Sequence, residues 1–365
     1  MNRQHAGKPV LVITGASGLI GRRLAKKFAD EYNVVALDIE ALHVEGVCWI
    51  RCDLTNEDAV YAALETLKSK YGTQIASVIH LAAYYDFSGE PSPLYSELTV
   101  EGTRRLLRGL RSFTVEQFVF SSSLLVQESS DNDHSITAYS PVDAEWDYPQ
   151  SKLEAERVIA EERGETPTVI LRIAGVYDED CHSVPIGQQI ARIFEKQLES
   201  YFFPGDKTCG QAFVHLDDLV ACFGAVVERR DTLPQHSLFL IGEEDVMSYE
   251  ELQEDLGRHI HGKEWPAIRI PKAAAKAGAW VKDRLANDDD APFIKPWMID
   301  LADQNYPISV QRAREHLGWE PTHTLRQTLP DMINRLQSDP RAWFEKNGLP
   351  IPQQVEEHNS AGAAK

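Results

Sequence analysis

Residues 10–21, VLVITGASGLIG, constrain the fold more than any other stretch of the chain. The first four residues form an apolar run of the kind found in a strand buried on both faces of a parallel sheet. Gly15, Gly18 and Gly21 follow at a spacing of three, and Ile20, Leu24 and Phe28 then recur every four residues, as along one face of a helix. A strand, a glycine turn and a helix start are therefore predicted in that order. Glycine lets the backbone turn tightly and admits a ligand where a Cβ would collide, and the helix N-terminus offers free N–H groups to an anion. A tight βα turn without any ligand satisfies the same pattern.

The next strand-like run, residues 34–37, ends in Asp38, about 20 residues beyond the glycines, where a dinucleotide site places the carboxylate that binds a ribose 2′-hydroxyl. Asp38 favours NAD. A 2′-phosphate would meet like charge there, Ile39 and Glu40 supply no compensating cation, and only Arg22 and Arg23 speak for NADP. Further strands are predicted at residues 47–52, 77–83 and 117–120, the last running into Ser121, Ser122 and Ser123, with an amphipathic helix at 97–110. This alternation predicts βαβ units, hence a doubly wound parallel sheet with ligands outside the carboxyl ends of its strands. Asp53, after the third strand, is placed to accept from an adenine amino group, or else it or Thr55 caps the helix starting near Glu57. His80, among apolar neighbours, reads as a packed residue.

Composition narrows the partners. The chain has 365 residues, 43% hydrophobic and 25% charged, enough for a substantial core in one large or two moderate domains. Its 37 Lys and Arg against 56 Asp and Glu give a net charge of −19, which repels nucleic acid and anionic membrane surfaces. The five cysteines are scattered, without CxxC or a Cys/His spacing for zinc, so no metal is expected and a reducing cytoplasm fits. Cys48 and Cys52 read as core residues. No apolar segment near the start resembles a leader or a membrane span, and the alanine-rich residues 273–281 read as a packed surface helix.

DYPQSKLEAERVIA, from Asp147, carries the chemistry. Tyr148 and Lys152 are four apart among good helix formers and so share a face, and no other tyrosine of the chain has a lysine at that spacing. A phenol is a poor base at neutral pH, and an adjacent ammonium favours its ionised form. Ser123 is the candidate donor to polarise a carbonyl oxygen.

TGASGLIG, Asp38, CDLT, HLAA, FSSS, YPQSK, LRIAGVY and FVHLDDL, in this order and spacing, resemble the extended short-chain dehydrogenase/reductase family of the NAD-dependent epimerase/dehydratase type. The resemblance spans roughly residues 10–317, with REHLGWEPTHTL like the family's closing helix and loop. It implies that Tyr148 is the acid/base, that Lys152 orients the ribose and lowers the tyrosine pKa, and that Ser123 binds the substrate oxygen. It also implies that Gly15, Ser17, Gly18, Leu19, Ile20, Gly21, Asp38, Asp53, Leu54, Leu81, Ala82 and Ala83, with Tyr148 and Lys152, hold NAD.

The departures bear on the substrate. Leu124 and Leu125 stand where dehydratases of this type carry an acidic pair, and Gln211-Ala212 where an arginine would hold a substrate pyrophosphate. Lys207, Arg312 and Arg314 could replace that arginine, or they are solvated surface charges. The expected architecture is a Rossmann domain over 1–175 that takes back about 212–242, a smaller, mostly helical substrate lobe over 176–211 and 243–350, and a disordered tail over 353–365. Asp217 and Asp218 read as a helix-capping pair at the return to the sheet. The expected activity is NAD-dependent hydride transfer at a secondary alcohol or ketone of a small polar or sugar-like substrate. The alternatives are a nucleotide-sugar 4-epimerase that retains NAD and a non-catalytic dinucleotide-binding regulator. The helices at 97–110 and 148–162 are those through which relatives pair, so a homodimer is expected.

Overall fold

In the computed structural model, which describes residues 7–86, 89–130, 134–285 and 294–356, the centre is a seven-stranded sheet. Its strands are β1 (Val10–Thr14), β2 (Asn33–Asp38), β3 (Val47–Arg51), β4 (Ser77–His80), β5 (Phe118–Ser123), β6 (Thr168–Ile173) and β7 (His236–Ile241). Their spatial order is β3-β2-β1-β4-β5-β6-β7, and every neighbouring pair is parallel. All residues of β1, β2, β4, β5 and β6 are buried, which is why these strands read as continuous apolar runs. The strand order reverses between β1 and β4, and the crevice outside their carboxyl ends is where a ligand can enter such a sheet.

Helices cover both faces, α1 (Leu19–Phe28), α2 (Glu57–Tyr71), α3 (Glu101–Leu110), α4 (Asp147–Glu162) and α6 (Leu216–Glu228) among them, whereas α5 (Val184–Phe194) packs in the second half of the chain. One core, holding Leu11, Ile13, Leu24 and Phe223, lies on one side of the sheet, and another, holding Val12, Leu67, Phe118 and Ile159, on the other. A third gathers Tyr177, Ile190, Met332 and Trp343 from the second half of the chain. The segment Phe213–His215 pairs in parallel with Gly175–Tyr177 as a separate two-stranded sheet, whereas β7 rejoins the main sheet beside β6.

Several local expectations are corrected. Neither Asp53 nor Thr55 caps α2: the cap is Asn56, whose Oδ1 accepts from the Ala59 N–H at 2.9 Å, because Asp53 is occupied by a turn with Thr55. The helix expected from residue 97 starts at Tyr95 with a π-helical turn, Tyr95–Val100, before α3. Asp217 and Asp218 are not the cap of α6: His215 is, and its ring accepts from the Asp217 N–H. Asp218, 4% exposed, is a clamp whose carboxylate accepts from the Thr322 N–H, the Thr322 hydroxyl and the His323 N–H at 2.6–3.0 Å. Residues 353–356 form a helical turn that buries Val355, and the rest of the expected tail, 357–365, lies outside the described residues. Cys52 is in the core as expected, with Cys48 packed against it.

Candidate active site

The three glycines of the turn are required for different reasons. Gly15 has φ +66°, and a Cβ there would lie 2.8 Å from the Ala82 nitrogen; a Cβ at Gly21 would lie 2.3 Å from the Gly15 oxygen. Both are needed by the protein's own packing. At Gly18 a Cβ would meet only the Gly15 oxygen, at 3.5 Å, an ordinary contact. The missing side chain at Gly18 therefore serves the space in front of it, into which the first-turn N–H groups of α1 have no acceptor of their own helix. A cradle of this kind fits a dinucleotide pyrophosphate.

Asp38, 8% exposed, accepts from the Ser17 N–H at 2.9 Å through one oxygen and from the Glu40 N–H at 3.1 Å through the other, so the carboxylate at the end of β2 is tied directly to the glycine turn. Asp53 accepts from the Thr55 hydroxyl at 2.7 Å and the Thr55 N–H at 2.9 Å, and the hydroxyl above all holds its carboxyl below the usual range.

From the turn a cleft of about 440 Å³ runs over the carboxyl ends of the strands. Gly15, Gly18, Leu19, Ile20, Gly21, Leu81, Ala83, Ser123, Tyr148 and Lys152 all line it. Ser17, Asp38, Asp53, Leu54 and Ala82 do not line this cleft. Lys207, Arg312 and Arg314 lie outside it too: Lys207 pairs with Glu250, Arg312 donates to the Leu238 carbonyl and the Tyr139 hydroxyl, and Arg314 is held by Glu244 and Glu320.

Tyr148 and Lys152 share a face of α4 as their spacing predicts, with the Lys152 ammonium 5.9 Å from the Tyr148 ring centre. The electrostatics differ from expectation. Burial pushes the Tyr148 phenol up to about 12, while the hydrogen bond from the Ser123 hydroxyl pulls the other way. Lys152, 3% exposed, donates to the Ser121 carbonyl at 2.8 Å, and burial lowers its ammonium to about 7. A desolvated ammonium already engaged elsewhere does not bring the phenol down, so the protein alone leaves Tyr148 protonated.

His80 is fully buried between Thr14 and Thr103, with its ring nitrogens 2.6 and 2.8 Å from the two hydroxyls. Thr103 donates onward to the Thr99 carbonyl, so this network assigns a neutral ring that donates from Nε2. Burial, and secondarily Lys152, lower His80 to about 3; it packs, as read from its neighbours.

Tyr85 and His182 are among the cleft residues with no counterpart in the sequence reading. Tyr85 stands 52% exposed on the loop after β4, its ring edge-on to Tyr148 with centres 5.0 Å apart. His182 reaches the cleft from the loop before α5, and its ring Nδ1 donates to Asp178, 2.8 Å from both carboxylate oxygens. That hydrogen bond raises the His182 pKa. Cys181 and His182 both have positive φ, +81° and +44°, a conformation costly for non-glycine residues. The loop is held in it by Asn347, whose Oδ1 accepts from the His182 N–H at 2.9 Å and whose Nδ2 donates to the Asp180 carbonyl.

Residues 11–242 match the model of the NAD dependent epimerase/dehydratase family. A relative from Mycobacterium tuberculosis, 3 beta-hydroxysteroid dehydrogenase/Delta 5-->4-isomerase, is 22% identical over 339 residues, covering 88% of this chain and 89% of its own. An Escherichia coli O157:H7 N-acetyl-alpha-D-glucosaminyl-diphospho-ditrans,octacis-undecaprenol 4-epimerase is 28% identical over 158 residues, 43% of this chain and 45% of its own. The fold is shared with the Thermus thermophilus UDP-glucose 4-epimerase solved in complex with NAD, at TM-score 0.66 and 19% identity over 90% of this chain and 99% of that one.

Proposed function

The chain belongs to the NAD dependent epimerase/dehydratase family, and from that premise we propose that it transfers hydride between NAD and a secondary alcohol or ketone carbon held in the cleft. The observation that carries this reading is the convergence of Tyr148, Ser123 and Lys152 in the same cleft that opens at Gly18. Bound NAD supplies the hydride acceptor or donor. Gly18 and the start of α1 would hold its pyrophosphate, and Asp38 its adenosine ribose, with a preference over NADP set by the Asp38 charge.

Ser123 would hold the substrate oxygen and Tyr148 would pass it a proton during reduction. For oxidation the phenol must first lose that proton, and Lys152 would assist once a ribose hydroxyl is bound beside it. Replacing Tyr148 by Phe removes the proton-transfer group and leaves the cleft's shape. Turnover measured by reduced-nicotinamide absorbance should fall about 100-fold or more, with NAD affinity retained. Turnover unchanged in the variant would remove Tyr148 from the chemistry, and NAD binding with no turnover of any alcohol or ketone by wild type would establish the non-catalytic regulator instead.

A nucleotide-sugar 4-epimerase is the second reading, favoured by the relatives and solved structures named as 4-epimerases. It would use the same three residues twice and hold its NAD through purification, whereas a dehydrogenase would exchange it. We further propose a homodimer paired through α3 and α4, in a reducing compartment that keeps the five cysteines free.

A further inference from the structure

Beyond Tyr148 and Ser123 the cleft is walled by Tyr85, Leu125, Val184, Pro185 and Phe213. Tyr85 stands open beside Tyr148, and Tyr148 is backed on another side by Trp146 at 5.6 Å, which leans in turn on Trp297 at 5.2 Å. The reacting hydroxyl is thus set in an aromatic and aliphatic surface.

Among the described lining residues, the cationic side chains are Lys152 and His182, and both are engaged, one by the Ser121 carbonyl and the other by the Asp178 carboxylate. Arg192, whose Nη1 is buried without a partner among the described residues, does not line the cleft. A diphosphate lodged against this wall would lose its hydration and gain no uncommitted cation, an arrangement that burial penalises heavily. An uncharged ring system loses little on entry and gains contact area with Tyr85 and Phe213.

We propose that the substrate of this cleft is an uncharged, predominantly apolar, ring-bearing secondary alcohol or ketone, gripped by Tyr85 and the Leu125–Val184–Phe213 wall, and not a nucleoside-diphosphate sugar. The proposal rests on the reading of the cleft as an oxidoreductase site and concerns what fills it.

The test is calorimetric titration of the NAD-saturated full-length protein with two probes, 2-tetralone as a fused-ring ketone and UDP as a nucleoside diphosphate. The expected result is saturable binding of 2-tetralone, weakened about tenfold in Tyr85→Ala, with UDP binding at least about 100-fold more weakly than the ketone. Tyr85 is more than half exposed, so this variant keeps the fold. A Val184→Asp variant, which places a charge on the same wall, should also lose the ketone. UDP binding as tight as the ketone, absence of saturable ketone binding, or equal ketone affinity in wild type and Tyr85→Ala would each overturn the proposal. The Tyr148→Phe variant separates the two failures. If it binds 2-tetralone like wild type and has lost turnover, the oxidoreductase reading stands whatever the Tyr85→Ala result; if wild type binds NAD but turns over no alcohol or ketone, that reading fails independently of which probe binds.

Discussion

Gly18 and Gly21 look alike in the sequence, and their surroundings make opposite demands on them. Alanine at Gly21 would drive a Cβ into the Gly15 and Ala16 backbone, which has nowhere to move, and should cost roughly 3 kcal/mol of stability, read as a lowered denaturation midpoint. Alanine at Gly18 should leave that midpoint within about 0.5 kcal/mol and weaken NAD binding about tenfold or more, because only the ligand needs the space.

His182 makes a pH-dependent contribution whose sign follows from its raised pKa. The pairing with Asp178 stabilises the fold fully below the ordinary histidine value and is lost as pH rises through the higher folded value. The melting temperature of wild type minus that of His182→Gln should therefore be largest near pH ~5.5 and shrink toward pH ~8.5. In the background of Asp178→Asn that dependence should disappear. The shared face of Tyr148 and Lys152 was legible because they lie one helical turn apart. His182 was not, since its strained backbone is held by Asn347, 165 positions away, and no local pattern carries that contact.

At the scale of elements, the alternation of strand and helix was readable because strands buried on both faces give short apolar runs between amphipathic segments. Helix ends were less readable. Asp53, Thr55 and Asn56 are all competent caps, and the choice fell to Asn56 only because Asp53 and Thr55 bond each other first. Asp218 shows the same limit: in the first turn of α6 it looks like a cap, yet its carboxylate fastens the loop at Thr322 and His323. Asp218→Ala would take the common acceptor from three donors of the Thr322–His323 loop and, since Thr322 is exposed and water replaces part of it, should cost about 1–2 kcal/mol, seen in denaturant unfolding. Asp217→Ala, at a half-exposed position paired with Arg23, should change stability by less than about 1 kcal/mol.

For the whole molecule, the outward faces of α3 and α4 are charged. Glu162 accepts from Arg104, Arg108 and Arg111, and among the described residues neither helix presents a large exposed hydrophobic side chain. A dimer built there would be polar, so sedimentation should show two-chain mass near 0.05 M salt and a shift toward one chain near about 1 M. Two chains at both salt concentrations would place the contact on another face.

The anchoring of the cleft's far wall by Asn347 has a consequence for how the protein is made. The glycine turn and Asp38 lie within residues 15–38 and Tyr148 follows, but the loop that carries His182 is fastened from far along the sequence, by Asn347 to His182 and Asp180 and by Arg335 and Lys346 to Asp180. A nascent chain from which Asn347 has not yet emerged would have the glycine turn but lack this fastening of the loop at His182. Loss of Asn347 would accordingly be felt at the His182 side of the same cleft that the glycine turn lines.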